Sequence, residues 1–217
     1  MTIALEGFHA VKHALRFAPQ CVLAVRVRDL DAARALCDRL APDITRELLE
    51  RAVLEQVAHH TGVEATATVP TPDRAVLERR SAPLVLLDHP RSPGNAGAVV
   101  RVAAAAGASG VAMVGSLDPW HPNVLRGSAG LHYAVGVLHL DDIECALLTG
   151  PLVALDADGD PQATLPGDAV LIVGSERSGV SEDLLARADV VMALPMRAGV
   201  SSLNLATAVA AALYRGR

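Results

Sequence analysis

The fold is decided by Leu84-Val85-Leu86-Leu87-Asp88-His89-Pro90-Arg91-Ser92-Pro93-Gly94-Asn95-Ala96-Gly97-Ala98-Val99-Val100-Arg101. Its first five residues form a short, almost wholly apolar run, suited to a strand covered on both faces. Two prolines and Gly94 then force a turn, and Asn95 suits the N-cap of a helix expected over 95–106. The same order of strand, turn and helix recurs downstream. Strands are expected at 84–88, 111–115, 134–138, 152–155, 169–174 and 190–194, with further helices around 143–148, 181–188 and 202–215. This is the grammar of a doubly wound, mostly parallel α/β sheet, which takes ligands beyond the carboxyl ends of its strands.

Upstream the pattern is that of a smaller α/β unit. Residues 6–17 have helical spacing, with Phe8, Val11, Ala14 and Leu15 on one side. A β-rich run over 21–27 precedes a helix opened by Asp29 and Asp31 and running through Leu40. Another helix is expected over 46–59, stopping at Thr61-Gly62. A strand over 63–69 and a short helix over 73–79 lead to Ser81-Ala82-Pro83. The boundary is placed there, giving domains 1–82 and 83–217. No repeat or low-complexity tract interrupts either.

The 217 residues are 51% apolar and 20% charged, which fits a folded protein with a sizeable core. Aromatics are only 2%, too few for a base-stacking platform. Cys21, Cys37 and Cys145 are odd in number and far apart, so neither a disulfide framework nor a zinc site is expected. His59-His60 suit a surface helix end, and His89, His121 and His132 lack the convergent partners of a metal site. The most apolar stretch, 98–114, carries Arg101 and two glycines and is short for a membrane span. With no signal-like start, a cytoplasmic protein is expected.

The net charge of −5 speaks against a broad polyanion-binding face. It is unevenly placed: residues 1–83 carry eleven basic and eleven acidic side chains, residues 84–217 eight and thirteen. Any polyanion must therefore be met by a local arginine cluster.

Three segments follow expected strand ends. In the first, Asn95 reads either as a cap or as a ligand-facing amide. Arg101 sits in an expected helix apolar nearly all round. If buried there, it must pair with a carboxylate or face a ligand cleft. The second is Gly174-Ser175-Glu176-Arg177-Ser178-Gly179-Val180-Ser181. Its glycine spacing suggests a backbone closely approached by a ligand, but it lacks the Lys-Ser/Thr of a triphosphate loop. Glu176 reads as either a solvated charge or a site carboxylate, and Ser181 as an N-cap. The third is Leu194-Pro195-Met196-Arg197-Ala198-Gly199-Val200-Ser201-Ser202-Leu203-Asn204, where Ser201 or Ser202 is expected to cap the last helix. Asn204, a poor helix former, either bonds the backbone or faces a ligand. Trp120, between Pro119 and Pro122, is either packing or a base-stacking ring.

In this order the three segments resemble the signature motifs of the TrmH (SpoU) branch of the SPOUT RNA methyltransferases. The resemblance spans about residues 84–215. Residues 1–80, beginning Glu6-Gly7-Phe8-His9-Ala10-Val11, resemble less closely the ribosomal-protein-like substrate-binding domain that often precedes this catalytic domain. The resemblance implies a trefoil-knotted catalytic domain, a homodimer formed through it, and S-adenosylmethionine as cofactor. It implies methyl transfer to a ribose 2′-hydroxyl of tRNA or rRNA, without metal or membrane. It assigns Gly174, Leu194, Leu203 and Leu155 to the cofactor, Arg101 to the hydroxyl, and Asn95, Glu176, Ser202 and Asn204 to the catalytic polar group. Arg91, Arg126, Arg177 and Arg197 are then the RNA-facing cations, with Arg126 equally readable as part of a structural turn. Because arginine stays protonated, Arg101 reads either as the hydroxyl-activating group or as a phosphate grip that lowers the hydroxyl pKa. Two other activities stay open: a non-catalytic RNA-binding protein on the same scaffold, and base methylation by a related knotted enzyme. A nucleotide-using small-molecule enzyme is disfavoured, since neither a phosphate loop nor a dinucleotide fingerprint occurs.

Overall fold

A computed structural model describes residues 1–141 and 148–215. The chain divides into two compact units, one of Met1–Thr71 with Ala129–Ala134 and one of Pro72–Ser128 with Val135–Arg217.

The first unit carries β1 (Thr2–Glu6), α1 (Phe8–Phe17), β2 (Val22–Val27), α2 (Leu30–Leu40), α3 (Thr45–Arg51), β3 (Ala52–Leu54) and β4 (Val63–Thr68). Its sheet runs β1-β4-β2-β3, with β4 antiparallel to both neighbours and β3 parallel to β2. Along β4 buried and half-buried residues alternate, as in a sheet covered on one face. Phe8, Val11, Ala14 and Leu15 of α1 are buried, the stripe that their spacing demands. Asp29 caps α2, accepting from Ala32 N at 2.9 Å.

One expectation fails in this unit, and one strand is present that was not expected. Residues 2–6 form a strand, and Gly7, at φ 86°, separates it from α1. The helix expected over 46–59 stops at Arg51, and the chain continues as edge strand β3. An amphipathic spacing of leucines reads the same in both conformations over so short a run. Ala129–Ala134 also belongs here: His13 Nδ1 lies 2.8 Å from Ala129 O, and Tyr133 Oη donates to Thr68 O at 3.2 Å.

The second unit carries β5 (Leu84–Asp88), α4 (Pro93–Ala105), β6 (Gly110–Val114), α5 (Pro122–Ser128), β7 (Val137–Leu140) and β8 (Leu152–Asp160). β9 (Val170–Val173), α6 (Glu182–Arg187), β10 (Val190–Met192) and α7 (Leu205–Tyr214) complete it. The sheet order is β10-β8-β9-β5-β6-β7 and every pairing is parallel. All residues of β5, β6 and β9 are buried, which is why their runs are continuously apolar. Val85, Leu87, Met113 and Leu171 pack one way, with Val99, Ala103 and Val209 of α4 and α7. Leu84, Leu86, Ala112 and Ile172 pack the other way, with Leu77 and Leu184. The expected α/β architecture with a parallel sheet is therefore present.

Details differ at the helix ends. Ser92, not Asn95, caps α4: its Oγ accepts from Asn95 N at 3.3 Å, and Pro93 takes the first helical position. Asn204, not Ser201 or Ser202, caps α7, which starts at Leu205. The strand expected at 134–138 lies at Val137–Leu140, and β8 runs five residues past its expected end, to Asp160. α5 was not anticipated. It crosses α4 so closely that a Cβ on Gly97 would lie 2.3 Å from Val124 O. Residues 143–147 of the helix expected around 143–148 lie outside the described residues. Among the described residues, no helix is long and apolar enough to cross a membrane, and no side-chain group could hold a metal ion.

Candidate active site

The cleft lies beyond the carboxyl ends of β9 and β10 and beside the middle of β8, past its last residue paired with β9, where a parallel sheet places its ligands. It has a volume of about 510 Å³ and is lined by Asn95 of α4 and by three further segments: residues 155–157, residues between Val173 and Gly179, and residues between Leu194 and Ala208.

The second segment is a closed turn. Ser175 N donates to Gly179 O at 3.0 Å, and Gly179 N donates back to Ser175 O at 3.1 Å. Ser175 Oγ accepts from Ser178 N at 3.2 Å. A Cβ on Gly174 would sit 1.8 Å from the Gly179 carbonyl carbon. Glycine is thus required at 174 because the chain returns onto itself there. Gly174 also lines the cleft, at the place where a ligand was expected to approach the backbone.

From this turn Glu176 reaches α4. Its Oε1 accepts from Asn95 Nδ2 at 2.9 Å and its Oε2 from Arg91 N at 3.3 Å. Partial burial pushes the Glu176 carboxyl up, but hydrogen bonds from the Asn95 amide and from backbone N–H groups including those of Arg91 and Ser92 outweigh it. The net effect holds Glu176 below the usual carboxylate range. An acid at the start of a helix is also favoured by the helix dipole. Asn95 Oδ1 in turn accepts from Asn204 Nδ2 at 3.0 Å, and Asn204 Oδ1 accepts from Ala206 N at 3.0 Å. One chain of hydrogen bonds, Asn204 to Asn95 to Glu176, thereby joins all three motif segments. All three residues line the cleft, and only Asn204 is also a helix cap.

Of the remaining expected residues, Leu155, Leu194, Leu203, Ser202 and Arg177 line the cleft. Arg197 lines an adjoining hollow together with Leu194, Met196 and Ser201. Arg91, Arg101 and Arg126 do not line the cleft, and all three are exposed. Burial of Arg101 is a corrected expectation: its side of α4 is open, so the guanidinium carries no desolvation cost that a partner must offset. Trp120 is buried, which makes it a packing residue.

Sequence reasoning passed over Asp88 and Asp156. Asp88, at the end of β5, is buried. It accepts from Ser181 N at 2.7 Å through Oδ2, and its Oδ1 lies 2.7 Å from His89 Nδ1. Ser181 does hold the N-cap position of α6, but its hydroxyl makes no capping bond. His89 is in the left-handed region at φ 50°. Asp156 lines the cleft from β8. The signal for both was an acid ending or interrupting an apolar strand.

Residues 82–214 match the model of the SpoU rRNA Methylase family. The chain belongs to this family. Among SpoU relatives, it is 28% identical to the 23S rRNA (guanosine(2553)-2′-O)-methyltransferase RlmP of Bacillus subtilis, over all of this chain and 88% of that protein. It is 31% identical to the 23S rRNA (uridine(2479)-2′-O)-methyltransferase of Streptomyces viridochromogenes, over 81% of this chain and 64% of that one. The crystal structure of the SpoU methyltransferase AviRb from Streptomyces viridochromogenes, in complex with AdoMet, superposes with a TM-score of 0.78. That match has 26% identity and covers 98% of this chain and 88% of AviRb.

Proposed function

We propose that this SpoU protein transfers the methyl group of S-adenosylmethionine to a ribose 2′-hydroxyl of ribosomal RNA, in the cytoplasm. The observation that carries this is the cleft beside β8 and beyond β9 and β10, where the three motif segments are tied together through Asn204, Asn95 and Glu176. About 510 Å³ is in the range that encloses a cofactor-sized ligand. Its mixture of leucines and main-chain groups suits a nucleoside with an aliphatic tail. The relatives named as 23S rRNA 2′-O-methyltransferases favour ribosomal RNA over tRNA and ribose over base.

The bound cofactor supplies an electrophilic methyl carbon. The chain's own residues hold the reactants and ease loss of the hydroxyl proton to solvent. Gly174, Leu155, Leu194 and Leu203 hold the cofactor, and the Asn204–Asn95–Glu176 chain fixes the wall against which the ribose docks. Ser202 adds a hydroxyl to the cleft lining. Arg101, outside the cleft and exposed, grips a phosphate beside the target ribose. Its charge there lowers the hydroxyl pKa, a role a permanently protonated guanidinium can fill. Arg91, Arg126, Arg177 and Arg197 serve as the other phosphate contacts, and the unit built on β1–β4 recognises the RNA. The parallel order β10-β8-β9-β5-β6-β7, with α7 returning to pack on α4, supports the trefoil knot of this family. A homodimer through the knotted unit completes the assignment.

The test is calorimetry with S-adenosylmethionine, followed by mass mapping of ribose methylation after incubation with ribosomal RNA. The expected result is binding of about one cofactor per chain and a single new 2′-O-methyl nucleotide. A folded protein that binds no S-adenosylmethionine, with or without RNA, would overturn the assignment.

A further inference from the structure

Three charged side chains line the cleft: Asp156, Glu176 and Arg177. Glu176 has both oxygens engaged, on Asn95 Nδ2 and Arg91 N. Asp156 differs. Its Oδ1 accepts from Asp158 N at 3.0 Å, which fixes the carboxylate on the strand. Its Oδ2 lies 3.8 Å from the position a Cβ on Gly179 would occupy, so it stands against the 175–179 turn at the edge of the cleft. The residue is half-buried, and among the described residues no basic group forms an ion pair with it. A carboxylate that lines a cleft without a cation of its own attracts a ligand that brings positive charge.

We propose that Asp156 makes the pocket discriminate by charge, favouring the sulfonium cofactor over the thioether that remains after methyl transfer. This rests on the cleft being the S-adenosylmethionine site. The cofactor carries a sulfonium, an ammonium and a carboxylate, for a net charge of +1. When the methyl group leaves as a cation equivalent to the ribose oxygen, sulfur keeps the electron pair of the broken bond. The hydroxyl proton goes to solvent, and S-adenosylhomocysteine is left with no net charge. Asp156 therefore attracts the substrate form and loses that attraction at the moment of reaction, which speeds release of a product otherwise almost identical in shape. A pair of charges several ångströms apart in a half-exposed cleft supports an effect of about tenfold after screening.

The experiment is titration calorimetry of the full chain, wild type and Asp156→Asn, with S-adenosylmethionine, S-adenosylhomocysteine and sinefungin, whose amine carries the charge without sulfur. Asn keeps an oxygen for Asp158 N, so the local turn is retained. The expected result is about tenfold weaker S-adenosylmethionine and sinefungin binding by the variant, with S-adenosylhomocysteine changed less than about twofold. Raising the salt concentration on the wild type should weaken the two cationic ligands selectively. Equal weakening of all three ligands would overturn the proposal, because Asp156 would then be reading a ribose or ammonium group they share. Unchanged S-adenosylmethionine affinity would overturn it as well. If wild type binds neither cofactor nor product, the cofactor site itself is wrong, a failure distinguishable from that of Asp156. Asp156→Glu provides the check on folding and should restore most of the preference.

Discussion

On the β9 side of the cleft, Glu176, Asn95 and Asn204 are linked side chain to side chain, and Gly174 lets the 175–179 turn lie directly against its own backbone. On the β10 side, residues 197–203 are all exposed, and the turn is closed by Val200 N donating to Arg197 O at 3.0 Å. Val200 and Leu203 there are 48% and 42% exposed, although both are apolar. One wall is organised before any ligand arrives; the other presents surface that a ligand would cover. Preorganised polar groups suit positioning of the reacting ribose. Apolar surface awaiting cover suits cofactor affinity, since its burial is the favourable step.

The sharpest way to break this contrast is Gly174→Ala. The new Cβ has no room beside Gly179, so the turn must open. Cofactor binding should be lost by calorimetry and stability should fall by about 2–3 kcal/mol in denaturant titrations. Arg101→Ala should act on neither wall. RNA methylation is expected to fall about 100-fold, with cofactor affinity unchanged and stability within about 0.5 kcal/mol of wild type. Glu176→Gln tests the organised wall through pH. Because the folded Glu176 titrates below its unfolded value, its contribution is complete above the unfolded pKa. It disappears as pH falls through the folded one. Thermal melts of wild type and variant should therefore differ near neutral pH and converge in acid.

A finer test is a double-mutant cycle of Asn95→Ala and Asn204→Ala, where denaturant titrations should give a coupling of about 1 kcal/mol. Asn204→Ala alone costs about 1 kcal/mol more, because it also uncaps α7. Smallest is Arg197→Ala on the open wall. Stability should stay within about 0.5 kcal/mol, while the salt slope of RNA binding drops by about one.

Much of this arrangement was legible in the sequence where burial is two-sided. The strands 84–88 and 111–115 were placed within a residue, because a run apolar at every position has few other homes. The helix after Ser92 was also placed correctly, but its cap was not: Pro93 at the first helical position sets the frame and makes Ser92 the cap, freeing Asn95 to reach Glu176. Arg101 was misjudged because a helix rich in Ala and Val can still leave one side open when its partners, α5 and α7, cover the rest. In the first unit, one-sided burial and short elements gave weaker signals, so β1 was not expected, its Glu6 being placed at the start of a helix, and β3 was read as helix. The attachment of Ala129–Ala134 to that unit has no local sequence signal at all. It depends on contacts such as Tyr133 to Thr68, made across a separation of 65 residues.

The bonds that define the site span still greater lengths of chain, 81 residues from Asn95 to Glu176 and 109 from Asn95 to Asn204. Closing each loop costs about 4 kcal/mol of chain entropy before any contact rewards it. At translation speeds of about 5–20 residues per second, roughly 5–20 seconds separate the synthesis of Asn95 from that of its partner Asn204. Through that interval Val99 and Ala103 of α4 wait for the face of α7 that will cover them. The cleft thus cannot come into being until Asn204 and α7 have been made, and the nascent chain must keep an apolar helix from other partners until then.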